Sequence, residues 1–401
     1  MRVGVFIGRV PQAAGGGFTF ADEIVEALIG LDSRHAIVIF GNLTEDQKRK
    51  LIPKQIQVVS LRKYLPKIVL SRLIRNQSNF VTNLPILRSG LKAADWFQRT
   101  VCDLGIDLMW FLTPFFIEVD VPFILTIWDM QHRLQPWFPE VSSSGEWHRR
   151  EKFYSTAIRR ASAIIAGTEA GKAEIVNFYD IPPERVSLIP HPTPAFALCA
   201  SRETRGELLT RYRIPEGYLF YPAQFWPHKN HVGLLLALHL LREKHGLKLS
   251  VVFVGSDKGN MKYVRQTAET LGLSSQVHFL GFVPREDMIG LYRRAFALTY
   301  MTFFGPENLP PLEAFALGCP VIASNVPGAQ EQLGDAALLV DPRDEKELAK
   351  AIKLLWDDSA LRQKLIDRGL ERAAKWKGED WVRSVFAIID EFQAVRRCWG
   401  S

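Results

Sequence analysis

Two glutamates and three prolines crowd into "GPENLPPLEAFALG", residues 305–318, and their order has a chemical meaning. Pro310 and Pro311 suit the first turn of a helix, where proline gives up no needed N–H and its φ is already set. That helix would carry Glu313 one turn in and stop at Gly318. Amides left unpaired around Asn308, Leu309 and Leu312 suit a phosphate. Glu313 could accept hydrogen bonds from vicinal hydroxyls such as those of a ribose, and Glu307, on the preceding loop, could meet a second sugar. Ribose, diphosphate and hexose follow in this order in a nucleotide sugar. The competing reading is that both carboxylates merely complement the helix dipole.

Two further stretches point to the same ligand. In "FYPAQFWPHKNHVGLLLALHLL", Lys229 stands where a long apolar helix begins. A cation there opposes the helix dipole, so an anion resting on the helix start explains it better than solvation. In "GRVPQAAGGGFTFADEIVEAL", Gly15–Gly17 lie between a strand and a helix from about Phe18, a place where backbone can approach a ligand closely. The spacing is not that of the GxGxxG dinucleotide fingerprint, and no acid closes the next strand at Phe40, which disfavours NAD.

Each of these stretches follows a short apolar run, as sites at the carboxyl ends of parallel strands must. Such runs predict strands at Val3–Ile7, Ala36–Phe40, Ile56–Ser60, Leu108–Leu112, Phe123–Ile127 and Ala163–Ala166 in the first half. The second half repeats the theme at Tyr218–Pro222, Leu249–Val254, Val277–Leu280, Ala297–Tyr300, Pro320–Ala323 and Ala337–Val340. Helical stretches alternate with them, so the predicted fold is α/β: two doubly wound Rossmann-like domains facing a cleft. The proline-rich segment from Ile189 reads as a linker, which places the domains at 1–195 and 196–380 with an amphipathic helix over 381–401.

Composition narrows the class. With 401 residues, 47% hydrophobic and 23% charged, the chain suits two globular domains. No apolar run has the length of a membrane span, and "MRVGVFIGRV" lacks the pattern expected of a signal peptide. Cys102, Cys199, Cys319 and Cys398 lie far apart, so a disulfide framework or zinc site is not expected and a cytoplasmic location is the default. The net charge of +7 is uneven: positions 48–50, 54, 62, 63, 67, 72, 75, 88 and 92 are Lys or Arg, with no acid between Lys48 and Lys92. Mixed with Leu, Ile and Tyr, these cations predict peripheral contact with an anionic cytoplasmic leaflet or with a lipid-linked acceptor. No nucleic-acid signature accompanies them, so nucleic acid is not an expected partner.

Together, "PHKNH", "VHFLGFVPREDMIGLYRRA" and "LPPLEAFALGCPVIASNVPGAQEQLGDAALLVDPRD" resemble the retaining glycosyltransferases of family 4, the group 1 transferases of GT-B fold. The resemblance runs over most of the chain and is strongest from Tyr221 to Asp344. It implies that Glu313, the second glutamate of the E-x7-E signature, holds the ribose hydroxyls and that Lys229 binds the diphosphate. It further implies that Phe282 and Val283 contact the base, that Gly16 and Gly17 close over the donor phosphates, and that the final helix crosses back to the first domain. Three positions depart from the family. Gly305 replaces the first signature glutamate, leaving Glu307 as the nearest acid for the donor hexose; Gln224 stands for a usual arginine; and Trp128 stands for a usual histidine, with Asp129 and His132 as candidate polar groups near the donor sugar.

The expected activity is that of a retaining hexosyltransferase using GDP-mannose, or else a UDP-hexose, with a glycan or lipid-linked acceptor in polysaccharide or glycolipid synthesis. No cofactor is expected to stay bound, and without a D-x-D motif no metal is expected. The alternative is a catalytically impaired nucleotide-sugar-binding or scaffold protein of the same fold, suggested by Gly305, Gln224 and Trp128. A phosphorylase is disfavoured, since no lysine motif for a pyridoxal cofactor is present.

Overall fold

Val, Ile, Leu and Phe dominate the strands, as they must where a sheet is covered on both faces, and the chain pairs them into two all-parallel sheets. The computed structural model describes all residues except 9–14, 55, 62–95, 202–207 and 400–401. The first sheet contains β1 (Arg2–Gly8), β2 (Ala36–Gly41), β3 (Gln57–Val59), β4 (Leu108–Phe111), β5 (Phe123–Thr126), β6 (Ala163–Ala166) and β7 (Val186–Leu188), in the order 3-2-1-4-5-6-7. The second contains β8 (Leu219–Pro222), β9 (Val251–Val254), β10 (Val277–Gly281), β11 (Ala297–Tyr300), β12 (Val321–Ser324) and β13 (Ala337–Val340), in the order 10-9-8-11-12-13. The winding direction reverses between β1 and β4 and again between β8 and β11. Loops leaving those strands diverge there and open a crevice.

Two details differ from the sequence reading. β7 was not expected: its three residues lie between Pro182–Pro183 and Pro190, too short a run to show a period. The segment read as pure linker contains a one-turn helix, Ala195–Leu198, begun after Pro194.

The helix Gly378–Arg396 returns to the first domain and lies along the helix Gly16–Gly30. Trp381 is fully buried, with its ring 5.7 Å from Trp110 in a stacked arrangement and 5.5 Å from Phe20 edge-on. Val382, Val385 and Ile389 complete the buried stripe, and Asp390 meets His35 Nε2 at 2.7 Å. The chain therefore passes between the domains twice, and the two passages are tied together. Trp376 Nε1 donates to the Pro190 carbonyl at 2.7 Å, and Thr193 N donates to the Trp376 carbonyl at 3.1 Å. Glu23 caps the junction by accepting from Ala195 N at 2.8 Å; burial pushes its carboxyl up to about 7, with the Ala195 bond opposing.

At the start of the basic stretch, Lys48 pairs with Glu45 at 2.6 Å, Lys50 with Asp46 at 2.8 Å and Glu26 at 2.9 Å, and Lys54 with Asp32 at 3.1 Å. Acids earlier in the chain therefore meet three of these cations, although none follows Lys48 before Lys92. The cations from Arg62 to Lys92 lie outside the described residues. Among the described residues, no helix is long and apolar enough to cross a membrane.

Candidate active site

β8 ends at Pro222 and its loop carries Gln224 and then a 3-10 turn, Pro227–Lys229. Asn230 follows in a left-handed conformation (φ 49°) and caps the helix His231–His245, its side chain accepting from Gly233 N at 3.1 Å. This cap fixes where the helix begins and leaves Lys229 just outside it. The Lys229 ammonium donates to the Tyr300 hydroxyl at 2.9 Å, and the Tyr221 hydroxyl donates to the Lys229 carbonyl. Tyr300 is the last residue of β11, so the reversal of winding is what brings these groups together.

Glu313 lies inside the helix Leu309–Ala316 and is 7% exposed. The Tyr292 hydroxyl donates to its Oε2 at 2.6 Å. Burial pushes its carboxyl up to about 7, opposed by the Tyr292 bond and the Arg285 charge. Both groups are thus seated on buried tyrosines: the lysine on Tyr300, the glutamate on Tyr292. Phe282, just beyond β10, projects with 73% of its surface exposed, and Val283 is buried beside it.

Two sequence expectations are revised at the second domain's loop 301–309. The prolines supply no N–H, and Asn308 N donates to Gln332 Oε1 at 2.9 Å while its side chain donates to the Gly305 carbonyl at 2.9 Å. This takes the Asn308 amide away from any anion and leaves the Leu309 amide as the candidate among the described residues. Glu307 does not lie open to a sugar. Its carboxyl is 6% exposed and accepts from His191 N at 2.6 Å, with His191 Nε2 at 3.7 Å. Gly167 makes room for it: a Cβ there would lie 1.3 Å from Glu307 Oε2. Burial pushes the Glu307 carboxyl up to about 8 and the His191 imidazole down to about 4, so the contact joins two neutral groups at pH 7.

The first domain supplies the facing wall. Gly15 has φ +65° and begins the helix Gly16–Gly30, for which no side-chain cap is made among the described residues. A Cβ on Gly15 would sit 3.8 Å from Gln224, so the glycine loop and the β8 loop nearly touch. Gln224 accepts from Trp226 Nε1 at 3.0 Å and donates to Ser256 Oγ at 3.3 Å. Asp129 lines a shallow crevice with Trp128, Gly167, Thr168, Glu174 and Pro306, and it pairs with Arg150 at 3.0 Å. His132 is corrected: it is fully buried, turned to Glu151 at 3.2 Å and packed on Tyr154, so it cannot face a donor sugar. It sits on a one-turn helix, Gln131–Leu134, that points its ring into the core.

Several residues that join the two walls gave no local signal. Glu331 of the second domain accepts from Glu169 N at 2.6 Å and Ala170 N at 3.2 Å, capping the first-domain helix Glu169–Tyr179. Glu140 of the first domain accepts from His228 N at 3.0 Å. In the sequence each reads as an acid favouring its own helix start. Among the described residues, no group of three or more His, Cys, Asp or Glu is placed to hold a metal ion.

Residues 212–372 match the glycosyl transferases group 1 family. Over 243 residues the chain is 27% identical to O-antigen chain mannosyltransferase B of Escherichia coli, a match spanning 60% of this chain and 64% of that protein's length. The fold is GT-B. Anabaena HepE, solved in complex with UDP-glucose, superposes with a TM-score of 0.66 at 17% identity over 98% of this chain and all of that one. WaaG, a glycosyltransferase involved in lipopolysaccharide biosynthesis, superposes with a TM-score of 0.67 at 15% identity over 96% and 99%. At such identities the likeness is one of fold.

Proposed function

We propose that the chain is a retaining hexosyltransferase that moves mannose from a nucleoside-diphosphate sugar to a glycan or lipid-linked acceptor. The observation that carries this reading is the pair Lys229 and Glu313, brought to one reversal point and each oriented by a buried tyrosine. In this reading Glu313 accepts the ribose hydroxyls, Phe282 stacks near the base, and the Gly16 and Gly17 amides meet the phosphates from the opposite wall. Lys229 and the Leu309 amide hold the diphosphate as it departs. Fixed positive charge at a leaving anion lowers the barrier because it needs no reorganisation during the reaction. As the bond from the anomeric carbon to the diphosphate oxygen breaks, the sugar passes through an oxocarbenium-like state; the acceptor oxygen bonds to that carbon from the side the diphosphate leaves and gives its proton to the departing diphosphate. Asp129, in the crevice of the first domain, is the group nearest to hand for the sugar or acceptor.

Mannose is favoured by the mannosyltransferase among the relatives, with GDP-mannose as the donor this reading takes first; a UDP-hexose is the alternative, favoured by the UDP-glucose complex of HepE. One observation supports a second reading, a donor-binding protein without turnover: the Glu307 carboxyl is already engaged by His191. Release of free nucleotide from GDP-mannose or UDP-glucose, with and without a polyprenyl-diphosphate-linked glycan, separates the two. Release that Lys229→Ala abolishes supports the enzyme; binding without release supports the rival. The reaction should continue in EDTA. The cations between Arg62 and Lys92 favour contact with the cytoplasmic leaflet, and co-sedimentation should then require anionic liposomes and fall as salt rises. Equal sedimentation with neutral liposomes would sink that part.

A further inference from the structure

We infer that Glu140 of the first domain is a positioning residue for Lys229 of the second, acting through His228 across the cleft. Glu140 lies on the one-turn helix Pro139–Ser142, and one carboxylate oxygen accepts from both the His228 backbone N–H and its ring Nδ1. Both side chains are under 10% exposed. His228 is the middle residue of the 3-10 turn Pro227–Lys229, so whatever fixes its backbone and ring fixes the peptide that carries Lys229.

The first domain grips more than His228. Gln135 Nε2 donates to the Phe303 carbonyl at 2.9 Å, and the Phe138 ring lies 5.5 Å from those of Phe303 and Phe304. His228 in turn stacks on Phe304 at 3.9 Å, and its carbonyl accepts from Phe303 N at 2.8 Å. Segment 135–140 therefore clamps the lysine turn and the loop leading to Leu309 as one unit. One first-domain segment thus grips both the lysine turn and the Leu309 loop.

Apolar packing alone would be the cheaper way to hold two domains together, since a buried carboxylate needs all its acceptor capacity met. The second Glu140 oxygen is buried without a partner among the described residues. Burial pushes the His228 imidazole down to about 4, while hydrogen bonds from His228 hold the Glu140 carboxyl below its ordinary range. The pair is thus a carboxylate and a neutral imidazole, with Nδ1–H donating. Because its members belong to different domains, the contact exists only with the walls together. It makes the alignment of Lys229 depend on closure, so free nucleotide can bind the second domain without it while turnover cannot proceed.

This inference rests on the reading that Lys229 holds the diphosphate, and the test keeps the two apart. Full-length Glu140→Ala, Glu140→Gln, His228→Ala, the Glu140→Ala/His228→Ala pair and Lys229→Ala are compared for nucleotide release from the sugar donor, for affinity for free GDP and UDP, and for Tm. Glu140→Ala should lower kcat by roughly 10- to 100-fold, the range that follows from misplacing a catalytic contact by up to an ångström. Affinity for the free nucleotide should stay within about threefold. The double variant should be no slower than the slower single one, because the pair acts as a unit. Glu140→Gln keeps a backbone acceptor and should recover part of the rate; should the alanine variant fail to fold, this variant carries the test, and an unaltered kcat overturns the proposal. Multiplying losses in the double variant, or equal losses in kcat and nucleotide affinity, also overturn it. If Lys229→Ala turns over normally, the diphosphate reading fails; if Lys229→Ala is slow and Glu140→Ala is not, only the role of Glu140 fails.

Discussion

Raising the pH from 6 to 8 should tighten binding of the sugar donor, because Glu313 must ionise to do its work. Its carboxyl is 7% exposed and is pushed up to about 7 by burial. A carboxylate accepts two ribose hydroxyls; a carboxylic acid has given up part of that capacity to its own proton. With a pKa near 7, about one site in eleven is ionised at pH 6 and about ten in eleven at pH 8, so Kd should fall by roughly tenfold over this interval. The ligand must be a nucleotide sugar and not a free diphosphate, whose terminal phosphate titrates near pH 6 and would add its own slope. Calorimetry in two buffers of different ionisation enthalpy should register close to one proton released below pH 7 and few above pH 8. Glu313→Gln should bind more weakly and lose the slope. Tyr292→Phe removes the 2.6 Å hydrogen bond that favours the ionised form, and should move the inflection to higher pH. A wild-type Kd that stays constant from pH 6 to 8, or a glutamine variant with the same slope, would refute the reasoning.

Lys229→Ala should cost about 2.7–4 kcal/mol of transition-state stabilisation, by analogy with loss of one oxyanion-hole donor; nucleotide release within twofold of the wild type removes it from the mechanism. Gly167→Ala places a methyl group on Glu307 and should destabilise by about 1–3 kcal/mol. Adding Glu307→Ala should restore Tm, and failure to do so would mean the two residues do not meet. Stability should fall as pH rises from 6.5 to 8: Glu307, held near 8, and Glu23, near 7, keep their protons in the folded chain after the unfolded chain has lost them, so folding binds protons there. Below pH 6.5 the buried His191 and His228 offset this slope, since the unfolded chain takes up protons that the folded one refuses. Tm should therefore fall between pH 6.5 and 8 and change less below 6.5, and Glu307→Gln should flatten the alkaline limb. A Tm that climbs to pH 8 would contradict the assignment.

The two winding reversals were legible because strand runs, glycine loops and helix starts are local patterns. Lys229 and Glu313 could be singled out for the same reason: a cation before a helix and an acid one turn inside another are anomalies visible within a few residues. The roles of Glu307, Asn308 and His132 were not legible. Each is decided by a partner outside its own segment: His191, 116 positions before Glu307; Gln332, 24 after Asn308; and Glu151, 19 after His132. A local pattern can say that Glu307 lies before a helix, but not that Gly167 has vacated a space for its carboxyl. The contacts that close the cleft share this property. Glu140 and Glu331 each look like ordinary dipole complements until the opposite domain is beside them.

The returning helix also sets an order of assembly. Trp381 fills the first domain's core between Phe20 and Trp110, yet translation reaches it only after every strand of the second domain has been made. The domain that leaves the ribosome first must wait with an apolar face uncovered, while its neighbour, whose strands run from Leu219 to Val340, can complete its sheet at once. Domains usually finish in the order they are synthesised; here the earlier one closes last, and its exposed seat for Trp381 is the surface a chaperone would be expected to guard.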